Sequence, residues 1–448
     1  MVKEYDLLVI GTGTAGSIPA AKCKEAGWTV AIIDDLPFGG TCSQRGCDPK
    51  KVLVEAAELI DWNQRMNGKG IQEDTKINWQ ELMAFKRTFT ESVPEDTEEK
   101  FKKLGIDRYH GKAYFESETE LRVGPDLLKG KRILIATGAE PVKMGFDGEE
   151  YMITSDEFLE LDQLPKHIIF VGGGFISFEF AHIAARAGSD VHILHRSDQA
   201  LKHFDQDLVD LLIKQSKEVG VHVHLEVGVN GIEKDGSSFI VKGEKDDRES
   251  EWLADLVVHG AGRAPALDID LEKGNVEQDK QGVCVNEYMQ SISNPHVYAA
   301  GDASSTDGPP LTPMAAKEAH TVAANLVDGN HEKAEYPVVP SVVFTVPKLA
   351  SVGMSEQEAK ESGKKVVINH EDMTEWFTYR QTNEGAAAYK IIIDEEEGVV
   401  LGAHLLGGKA DELINYFSLA IRFQIPLQDL KELPFAYPTA ASDISYMV

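Results

Sequence analysis

Cysteine and long apolar runs are both scarce in this chain. Only four cysteines occur in 448 residues, which is too few for the disulfide framework of a small secreted protein. No apolar run approaches the roughly 20 residues that a membrane-spanning helix needs, so we expect no membrane span. The segment after Met1 lacks the basic, apolar and small-residue order of a signal peptide. We therefore predict a cytoplasmic protein.

Positively charged residues are also few relative to negatively charged ones. The chain has 45 Lys and Arg against 74 Asp and Glu, for a formal net charge of -29. Such a charge repels phosphate backbones and anionic lipid headgroups, so we expect neither nucleic acid nor a membrane surface as a partner. At about 150 residues per domain, the length predicts roughly three globular domains.

A strand, a glycine loop and a helix occur twice along the chain. The first loop follows an apolar strand and carries Gly11, Gly13 and Gly16. The second follows residues 167–171 and carries Gly172 and Gly174. Repeated units of this kind predict parallel sheets whose ligands bind at the carboxyl ends of the strands. The predicted fold class is α/β, with two Rossmann-like dinucleotide-binding domains.

The remaining segments indicate further structure between and after these units. A charged helical region is predicted over about 78–104, followed by short strands that end near 133–136. From residue 336 onward a third, α+β pattern begins, with strands at 341–345 and 389–393 and a helix near 412–423. We predict that this last segment is a separate module.

The residue after the second strand of the first unit supports the dinucleotide interpretation. In the dinucleotide fingerprint an acidic residue about 20 positions after the loop accepts a ribose hydroxyl, and Asp34 stands in that place. A simple turn beside Asp35 is the alternative. Pro19 lies early in the predicted helix, and because proline is tolerated in the first turn, we expect it to fall there.

The corresponding position of the second unit is basic. Here the strand ends at Leu194 and is followed by His195 and Arg196, with Lys202 shortly after. Cations at this point pair with the 2′-phosphate of NADP, whereas a carboxylate would bind the 2′-hydroxyl of NAD. We therefore predict NADPH, with a solvated basic turn as the alternative.

Two of the cysteines stand close together. Cys42 and Cys47 are five residues apart, and on a regular helix their side chains would point about 140° away from each other. A disulfide therefore needs a distorted turn, which Gly46 permits. In a reducing compartment such a pair is catalytic or metal-binding rather than structural, and metal binding by two sulfurs alone is the weaker alternative. Cys23 and Cys284 stand alone and are predicted to be inert.

The cysteine segment and several later motifs resemble the pyridine nucleotide-disulfide oxidoreductases, the family of glutathione reductase, dihydrolipoamide dehydrogenase and mercuric reductase. The family motif is Gly-Gly-Thr-Cys, four residues, Cys, then x-Pro-Lys. The resemblance extends over nearly the whole chain, in the family's order, through the following segments: Gly39-Gly-Thr-Cys42 to Lys50, Ala136-Thr-Gly138, Gly260-Ala-Gly-Arg263, Ala300-Gly301-Asp302 and Leu311-Thr-Pro313.

This resemblance implies FAD and NADPH as cofactors and assigns roles to individual residues. Thr41, Gly138 and Asp302 would bind FAD, with Asp302 on the ribityl chain. Cys47 would lie against the flavin ring, and Cys42 would be the exposed interchange thiol.

The resemblance also implies a cation beside the flavin and an aromatic residue over the nicotinamide. Lys50 would pair with Glu179 and place its charge by the flavin nitrogen that receives hydride. Phe175 falls where the family often has an aromatic that covers the nicotinamide pocket, with a core aromatic as the alternative.

The same comparison predicts the domain limits and a homodimer. Residues 1–145 and 263–335 would form the FAD-binding domain, 146–262 the NAD(P)H-binding domain, and 336–448 a C-terminal α+β dimerisation domain. The partners expected are a second copy of the chain and a small-molecule acceptor.

The resemblance fails at the C-terminal acid–base motif. Disulfide-reducing members carry His-Pro-Thr-x-x-Glu, in which the histidine shuttles a proton to the leaving thiolate. Here the histidine is replaced by Tyr437 and the glutamate by Ser442, with Asp443 one residue displaced. A phenol with a pKa near 10 is a poor base at neutral pH. The cations that grip glutathione would align at Ala21 and His320, so that recognition is also absent.

Mercuric reductases likewise carry a tyrosine in this neighbourhood, which favours metal-ion chemistry. Against a full mercuric reductase, the sequence ends at Tyr446-Met-Val448 without the family's C-terminal cysteine pair and shows no N-terminal metal-binding domain. The hypothesis is an NADPH-dependent flavoenzyme that reduces a small disulfide or another electrophile. Mercuric-ion, other metal-ion or quinone reduction is one alternative, and a flavin-bound regulatory or scaffold protein is another.

Overall fold

The structure is a computed structural model that describes residues 2–72 and 75–448. Its strands are β1 (Lys3–Ile10), β2 (Val30–Asp34), β3 (Asp107–His110), β4 (Ala113–Ser117), β5 (Glu120–Val123), β6 (Asp126–Ile135), β7 (Ala139–Pro141), β8 (His167–Val171), β9 (Asp190–His195), β10 (Val221–Leu225), β11 (Gly228–Asp235), β12 (Ser238–Lys245), β13 (Arg248–Ala254), β14 (Leu256–His259), β15 (Arg263–Pro265), β16 (Val283–Cys284), β17 (Val297–Ala299), β18 (Ser304–Ser305), β19 (Ser341–Val343), β20 (Lys348–Gly353), β21 (Val366–Asp372), β22 (Ala388–Asp394) and β23 (Val399–Gly407).

The helices are distributed between these strands. They are α1 (Thr14–Glu25), α2 (Gly40–Arg45), α3 (Cys47–Met66), α4 (Trp79–Thr90), α5 (Val93–Leu104), α6 (Ser155–Phe158), α7 (Phe175–Arg186), α8 (Gln206–Glu218), α9 (Thr312–Asp328), α10 (Glu356–Glu361), α11 (Phe377–Arg380), α12 (Ala410–Arg422), α13 (Leu427–Glu432) and α14 (Ile444–Met447). Short 3₁₀ turns cover Glu149–Tyr151, Gly301–Ala303 and Ala440–Asp443. Among the described helices, none combines the length and the apolar composition needed to cross a bilayer.

The chain folds as two compact units, each built from three segments. The first comprises Met1–Pro49, Phe85–Val142 and Arg263–Tyr336, and the second comprises Lys50–Ala84, Lys143–Gly262 and Pro337–Val448. The mixed α/β class predicted from the sequence is confirmed. The residue limits of the four predicted segments stay predictions.

The first unit is built on a sheet with the strand order β3-β2-β1-β6-β5-β4, in which β17 also pairs with β6. β1 runs parallel to both β2 and β6, and its residues 7–9 are fully buried. A continuous apolar run of this kind is typical of a parallel strand covered on both faces. The carboxyl ends of β1, β2 and β6 therefore meet at one edge, where the first glycine loop begins.

The second unit contains a parallel sheet with the order β10-β9-β8-β14 and an antiparallel sheet β11-β12-β13. Apolar residues of both sheets form one core, including Ile169, Leu194, Ile232 and Val241. The C-terminal part of this unit is the antiparallel sheet β19-β20-β23-β22-β21, whose core includes residues of α12. The α+β character predicted for this segment is thus confirmed.

One detail of the helix prediction was wrong. Pro19 is the sixth residue of α1 rather than part of its first turn. The helix continues through it to Glu25, since proline removes a single backbone donor and the ring is buried. The helical region predicted over about 78–104 is confirmed, and it consists of two helices because Pro94 near the start of α5 has no N–H for the carbonyl of Thr90.

A buried arginine joins three segments of the second unit. The Arg186 Nη2 atom donates to Asp61 Oδ1 and to the Val346 carbonyl, each at 2.7 Å. The Asp61 carboxylate also accepts from Arg65 Nε at 2.6 Å. Burial, and then the charge of Arg186, lowers the pKa of the neighbouring His182. This network ties α3 and α7 to the segment before β20.

Replacing Arg186 with leucine should destabilise the protein by about 3 kcal/mol, because removal of one member of a buried pair leaves the other charge poorly compensated. The expected result is a lower urea midpoint. Arg122→Leu is the matched control, since the pair of Arg122 with Glu116 lies at the surface and should contribute little. Equal midpoints for the two variants would contradict this role of Arg186.

Candidate functional site

The first glycine loop is packed so closely that its backbone meets neighbouring backbone. A Cβ atom on Gly11 would lie 2.1 Å from the Ala136 oxygen, and one on Gly16 would lie 2.1 Å from the Gly11 oxygen. Gly13 is the N-cap residue of α1, and no side chain hydrogen-bonds to the helix N-terminus there. A Cβ on Gly13 would have only Gly40 within 4 Å, at 3.8 Å. The loop thus offers open helix N–H groups of the kind that bind phosphate.

Asp34 and Thr12 connect this loop to the cysteine segment. Asp34 Oδ2 accepts from the Thr12 N–H at 2.8 Å and from its hydroxyl at 2.6 Å. The Thr12 hydroxyl in turn accepts from the Gly39 N–H at 2.9 Å. Thr12 occupies a variable position of the glycine fingerprint, so the sequence interpretation missed it. The ribose contact of Asp34 stays a prediction.

The cysteine segment is a helix broken at one residue. α2 ends at Arg45, Gly46 has φ -138° and ψ -117°, and α3 begins at Cys47. A Cβ on Gly46 would lie 3.1 Å from the Thr41 oxygen and 3.3 Å from the Cys42 Cα. The distorted turn predicted at Gly46 is therefore confirmed.

The two thiols of this segment contact each other. Cys42 is half-buried, Cys47 is exposed, and both are free thiols. The Thr312 hydroxyl donates to Cys42 Sγ at 3.4 Å and lies 3.8 Å from Cys47 Sγ. The hydrogen bond with Cys47, and then burial, raises the pKa of the Cys42 thiol, and the Thr312 hydroxyl partly offsets this. Thr312 was missed as a site residue, although its Leu-Thr-Pro motif was noted.

A second set of residues beside the first loop includes one buried polar atom without a partner among the described residues. The Thr137 hydroxyl is buried, and among the described residues no partner is found for it. Gly138 follows with φ +70°, and nothing lies within 4 Å of a Cβ placed there. Burial raises the pKa of Asp302, and the charge of Arg263 partly offsets this effect. A ligand with hydroxyl and phosphate groups would satisfy this set, so the residues fit a flavin dinucleotide.

Glu318 supports the segment that carries Asp302. Its carboxylate accepts from the Gly301 N–H at 2.7 Å and from the hydroxyls of Thr306 and Tyr336, each at 3.0 Å. Burial raises the pKa of Glu318. The sequence interpretation missed this residue. It lies on the buried face of α9, and no local sequence pattern marks it.

Within the second unit the predicted cation and carboxylate are brought together. Lys50 Nζ lies 2.9 Å from Glu179 Oε1, and that oxygen also accepts from the Phe344 N–H at 2.8 Å. The ammonium lies 4.4 Å from the centre of the Phe344 ring. The ion pair therefore fixes the direction of the Lys50 side chain, and its role beside a flavin stays a proposal.

The second glycine loop is held by a histidine that was not predicted as a site residue. Gly172 has φ +113° and Gly174 caps α7. The Gly173 N–H donates to His195 Nδ1 at 3.0 Å, and His195 Nε2 bonds to the Gln199 carbonyl at 2.9 Å. Burial lowers the pKa of His195, the hydrogen bond with the Gln199 carbonyl partly offsets this effect, and the charges of Lys202 and Arg196 lower the pKa further. His195 thus closes the loop as a neutral ring.

The basic pair and the aromatic of this unit face solvent. Arg196 and Lys202 are both exposed, and within the described part of the chain no hydrogen bond or ion pair is found for either. Phe175, the first residue of α7, is 55% exposed. The alternative that Phe175 is a core aromatic is therefore wrong.

The tyrosine of the C-terminal motif is exposed to solvent. Tyr437 is 83% exposed and precedes Pro438 through a cis peptide bond. Ser442 is engaged in a capping box with Thr439. The Asp443 carboxylate accepts from the Thr378 hydroxyl, and burial raises its pKa. The side chains of Ser442 and Asp443 are both engaged in local hydrogen bonds, so neither replaces the glutamate that orients the histidine in the family motif.

Two dinucleotide-type loops and a paired-thiol helix define a flavoprotein disulfide oxidoreductase. The family model "Pyridine nucleotide-disulphide oxidoreductase" matches residues 5–319, and the model of its dimerisation domain matches residues 339–448. The chain belongs to this family, whose members are FAD- and NAD(P)H-dependent oxidoreductases. The dimerisation domain indicates a homodimer.

The individual proteins to which this chain is similar have different functional names. An "uncharacterized 19.7 kDa protein in mercuric resistance operon" of Staphylococcus aureus is 59% identical over 180 residues, which cover 40% of this chain and all of that protein. Mercuric reductase of Staphylococcus aureus is 30% identical over 98% of this chain and 81% of its own. The Cu(II) complex of the HOCl-induced flavoprotein disulfide reductase RclA from Escherichia coli has a TM-score of 0.88 and 27% identity, covering 100% and 99% of the chains.

The raised pKa of Cys42 predicts how oxidation of the dithiol depends on pH. The thiolate is the nucleophile, and a thiol whose pKa lies above its ordinary value is mostly protonated at neutral pH. Oxidation of the reduced enzyme by a small disulfide should therefore accelerate from pH 6 to pH 9, by up to about tenfold per unit. Stopped-flow mixing at each pH measures the rate. A rate that is already level at pH 7 would contradict this assignment.

Proposed function

We propose that the chain transfers two electrons from NADPH through the Cys42–Cys47 pair to a small electrophilic acceptor. FAD, when bound, would accept hydride and pass the electrons to the disulfide. The observation that carries the proposal is the thiol pair itself, which is held in hydrogen-bond contact by the break at Gly46 and by Thr312. The glycine loops supply the two dinucleotide-type sites that such a transfer requires.

The chain's own residues would act in a defined order. Gly13 and α1 would hold the FAD pyrophosphate, and Lys50, oriented by Glu179, would place a positive charge where hydride arrives. With a disulfide acceptor, the Cys42 thiolate would attack one sulfur and release the first thiolate. Cys47 would then attack Cys42, release the second thiolate and restore the Cys42–Cys47 disulfide. The two protons of the dithiol end on the two released thiolates.

The residues of the C-terminal acid–base motif indicate which class of electron acceptor the enzyme would prefer. Tyr437 replaces the histidine that would protonate the first leaving thiolate, and loss of such a group costs about 10²–10⁴-fold in rate. The preferred acceptor is therefore one that needs little proton delivery, such as a disulfide with an acidic leaving thiol. Metal-ion reduction is the second candidate, favoured by Tyr437 and by the mercuric and Cu(II) names among the relatives.

An acceptor screen with NADPH tests the proposed function. It should cover glutathione disulfide, an aromatic disulfide with an acidic leaving thiol, mercuric ion, Cu(II) and a quinone. We expect the aromatic disulfide to exceed glutathione disulfide in kcat/KM by at least about tenfold. The Cys42→Ser variant should lose thiol-dependent turnover. Preference for glutathione disulfide, or turnover that survives Cys42→Ser, would refute the proposal.

The choice of NADPH rests on Arg196 and Lys202, whose exposed cations are available for a 2′-phosphate. Arg196→Glu should raise KM for NADPH by at least about tenfold while changing KM for NADH far less, since only NADPH carries that phosphate. Arg248→Glu on the exposed strand β13 is the control for the change of charge. Equal kcat/KM for the two cofactors in the wild type would show the assignment to be wrong.

The role of Tyr437 is separable because the enzyme works in two half-reactions. If this phenol donates the proton, Tyr437→Phe should slow oxidation of the dithiol and leave reduction by NADPH unchanged. Tyr437→His should help unactivated disulfides more than metal ions, whose reduction needs no proton at a leaving thiolate. Stopped-flow measurement of each half-reaction decides between the roles. Unchanged oxidation in Tyr437→Phe would show that Tyr437 is not the proton donor and only packs at the dimer interface.

A further inference from the structure

The two glycine loops of the chain are closed by the same kind of hydrogen bond. In the first unit the N–H of Thr12, the residue after the first glycine of the loop, donates to Asp34 Oδ2 at 2.8 Å. In the second unit the N–H of Gly173, in the same place of its loop, donates to His195 Nδ1 at 3.0 Å. Donor and acceptor are 22 positions apart in both units. His195 therefore stands where the first unit has a carboxylate.

The imidazole closes its loop without a charge and without a free acceptor. Because the Gly173 N–H donates to Nδ1, the ring proton belongs on Nε2, which then donates to the Gln199 carbonyl at 2.9 Å. Burial lowers the pKa of His195, which favours this neutral form. A carboxylate in the same place would have lone pairs left for a further donor. It could both close the loop and accept a ribose hydroxyl, whereas the imidazole only closes the loop.

The same histidine joins the glycine loop to the segment that carries the two exposed cations of this unit. That segment, residues 196–202, follows His195 directly, and we call it the basic loop. Near its other end the Leu201 N–H donates to the Gly173 carbonyl at 3.0 Å. Gly173 is therefore bonded through its N–H to His195 and through its carbonyl to Leu201. In the part of the chain that the structure describes, no other side-chain hydrogen bond joins the two loops.

The imidazole ring also fills the space beside Gly173. A Cβ atom on Gly173 would lie 2.6 Å from the ring Cγ and 2.9 Å from Nδ1, which is closer than carbon and nitrogen atoms approach without bonding. The place of the ring is thus set by packing as well as by its two hydrogen bonds. A side chain at position 173 would displace the ring.

We propose that His195 is a positioning residue that sets the choice between the two nicotinamide dinucleotides. It reproduces the loop-closing bond of an acidic residue but omits the negative charge, which would repel a 2′-phosphate and bind the 2′-hydroxyl of NADH. The cations of the basic loop, held beside the glycine loop by Gly173, can then pair with the phosphate. This inference rests on the proposed use of NADPH, and it assigns part of the selectivity to an uncharged residue.

Calorimetric titration of the FAD-loaded protein with NADP⁺ and with NAD⁺ tests the proposal, because it needs neither turnover nor an acceptor. His195→Asp offers an oxygen in place of Nδ1 and adds a charge, so it should lower the ratio of NADP⁺ to NAD⁺ affinity by at least about tenfold. His195→Asn offers the same acceptor without the charge, and both dissociation constants should stay within about threefold of the wild type. His370→Asp, on the exposed strand β21, is the control for the added charge and should leave the ratio unchanged.

Two further variants remove the loop-closing bond. His195→Leu should raise both dissociation constants by at least about threefold, because the Gly173 N–H loses its acceptor. Gly173→Ala keeps the histidine but displaces its ring, and it should weaken both dinucleotides in the same way. Reduction of the flavin by saturating NADPH, followed by stopped flow, should stay within about twofold of the wild-type rate in His195→Leu, since the change affects binding and not hydride transfer.

Equal effects of His195→Asp and His195→Asn on the affinity ratio would overturn the proposal. Unchanged binding of both dinucleotides in His195→Leu would do the same, and Gly173→Ala decides this point if the leucine variant does not fold. A wild type that binds NADP⁺ no more tightly than NAD⁺ would refute the use of NADPH. Even then the role of His195 requires that His195→Asp shift the ratio towards NAD⁺ and that His195→Asn leave it unchanged, so the two failures can be told apart.

Discussion

The first unit depends on a close approach between two stretches of backbone. A Cβ atom on Gly40 would lie 2.4 Å from the Gly13 Cα, so the helix that carries Cys42 begins directly against the loop that caps α1. The hydrogen bonds from Thr12 to Asp34 and from the Gly39 N–H to Thr12 hold the two together. Side chains larger than hydrogen at these positions would separate the thiol pair from the dinucleotide-type loop. Electron transfer to the thiols requires that they stay together.

The second constraint is the break in the cysteine helix. An unbroken helix would point the two sulfurs about 140° apart, and Gly46 removes that obstacle because α2 ends before it and α3 begins after it. The hydrogen bond between the two thiols, and then burial, raises the pKa of the Cys42 thiol. An imidazole at the position of Tyr437 could take up the thiol proton, whereas a phenol is a poor base at neutral pH. We therefore propose that this geometry serves acceptors that differ from those of enzymes with a histidine at this position.

Much of this could be predicted from the sequence, because glycine spacing and cysteine spacing reflect backbone constraints that act locally. The two loops, the broken turn at Gly46 and the pairing of Lys50 with Glu179 are of this kind or follow from the family motif. Thr12, His195 and Glu318 could not be predicted, since their partners come from distant segments and no local pattern marks them. Pro19 was misjudged because burial of its ring outweighed the loss of one helix hydrogen bond. The identity of the electron acceptor could not be predicted from the sequence, because it depends on groups that the C-terminal acid–base motif lacks.

The central claim is that electrons from NADPH reach Cys42 and Cys47. The most direct measurement is a thiol count by alkylation and mass spectrometry, before and after anaerobic addition of NADPH to the air-oxidised, FAD-loaded enzyme. We predict a gain of two thiols per protomer, located at these two residues, and the same gain in Cys284→Ser. The Cys47→Ser variant should gain none. If NADPH reduces the flavin while the wild-type thiol count stays unchanged, the cysteines are not part of the electron path and the account is contradicted.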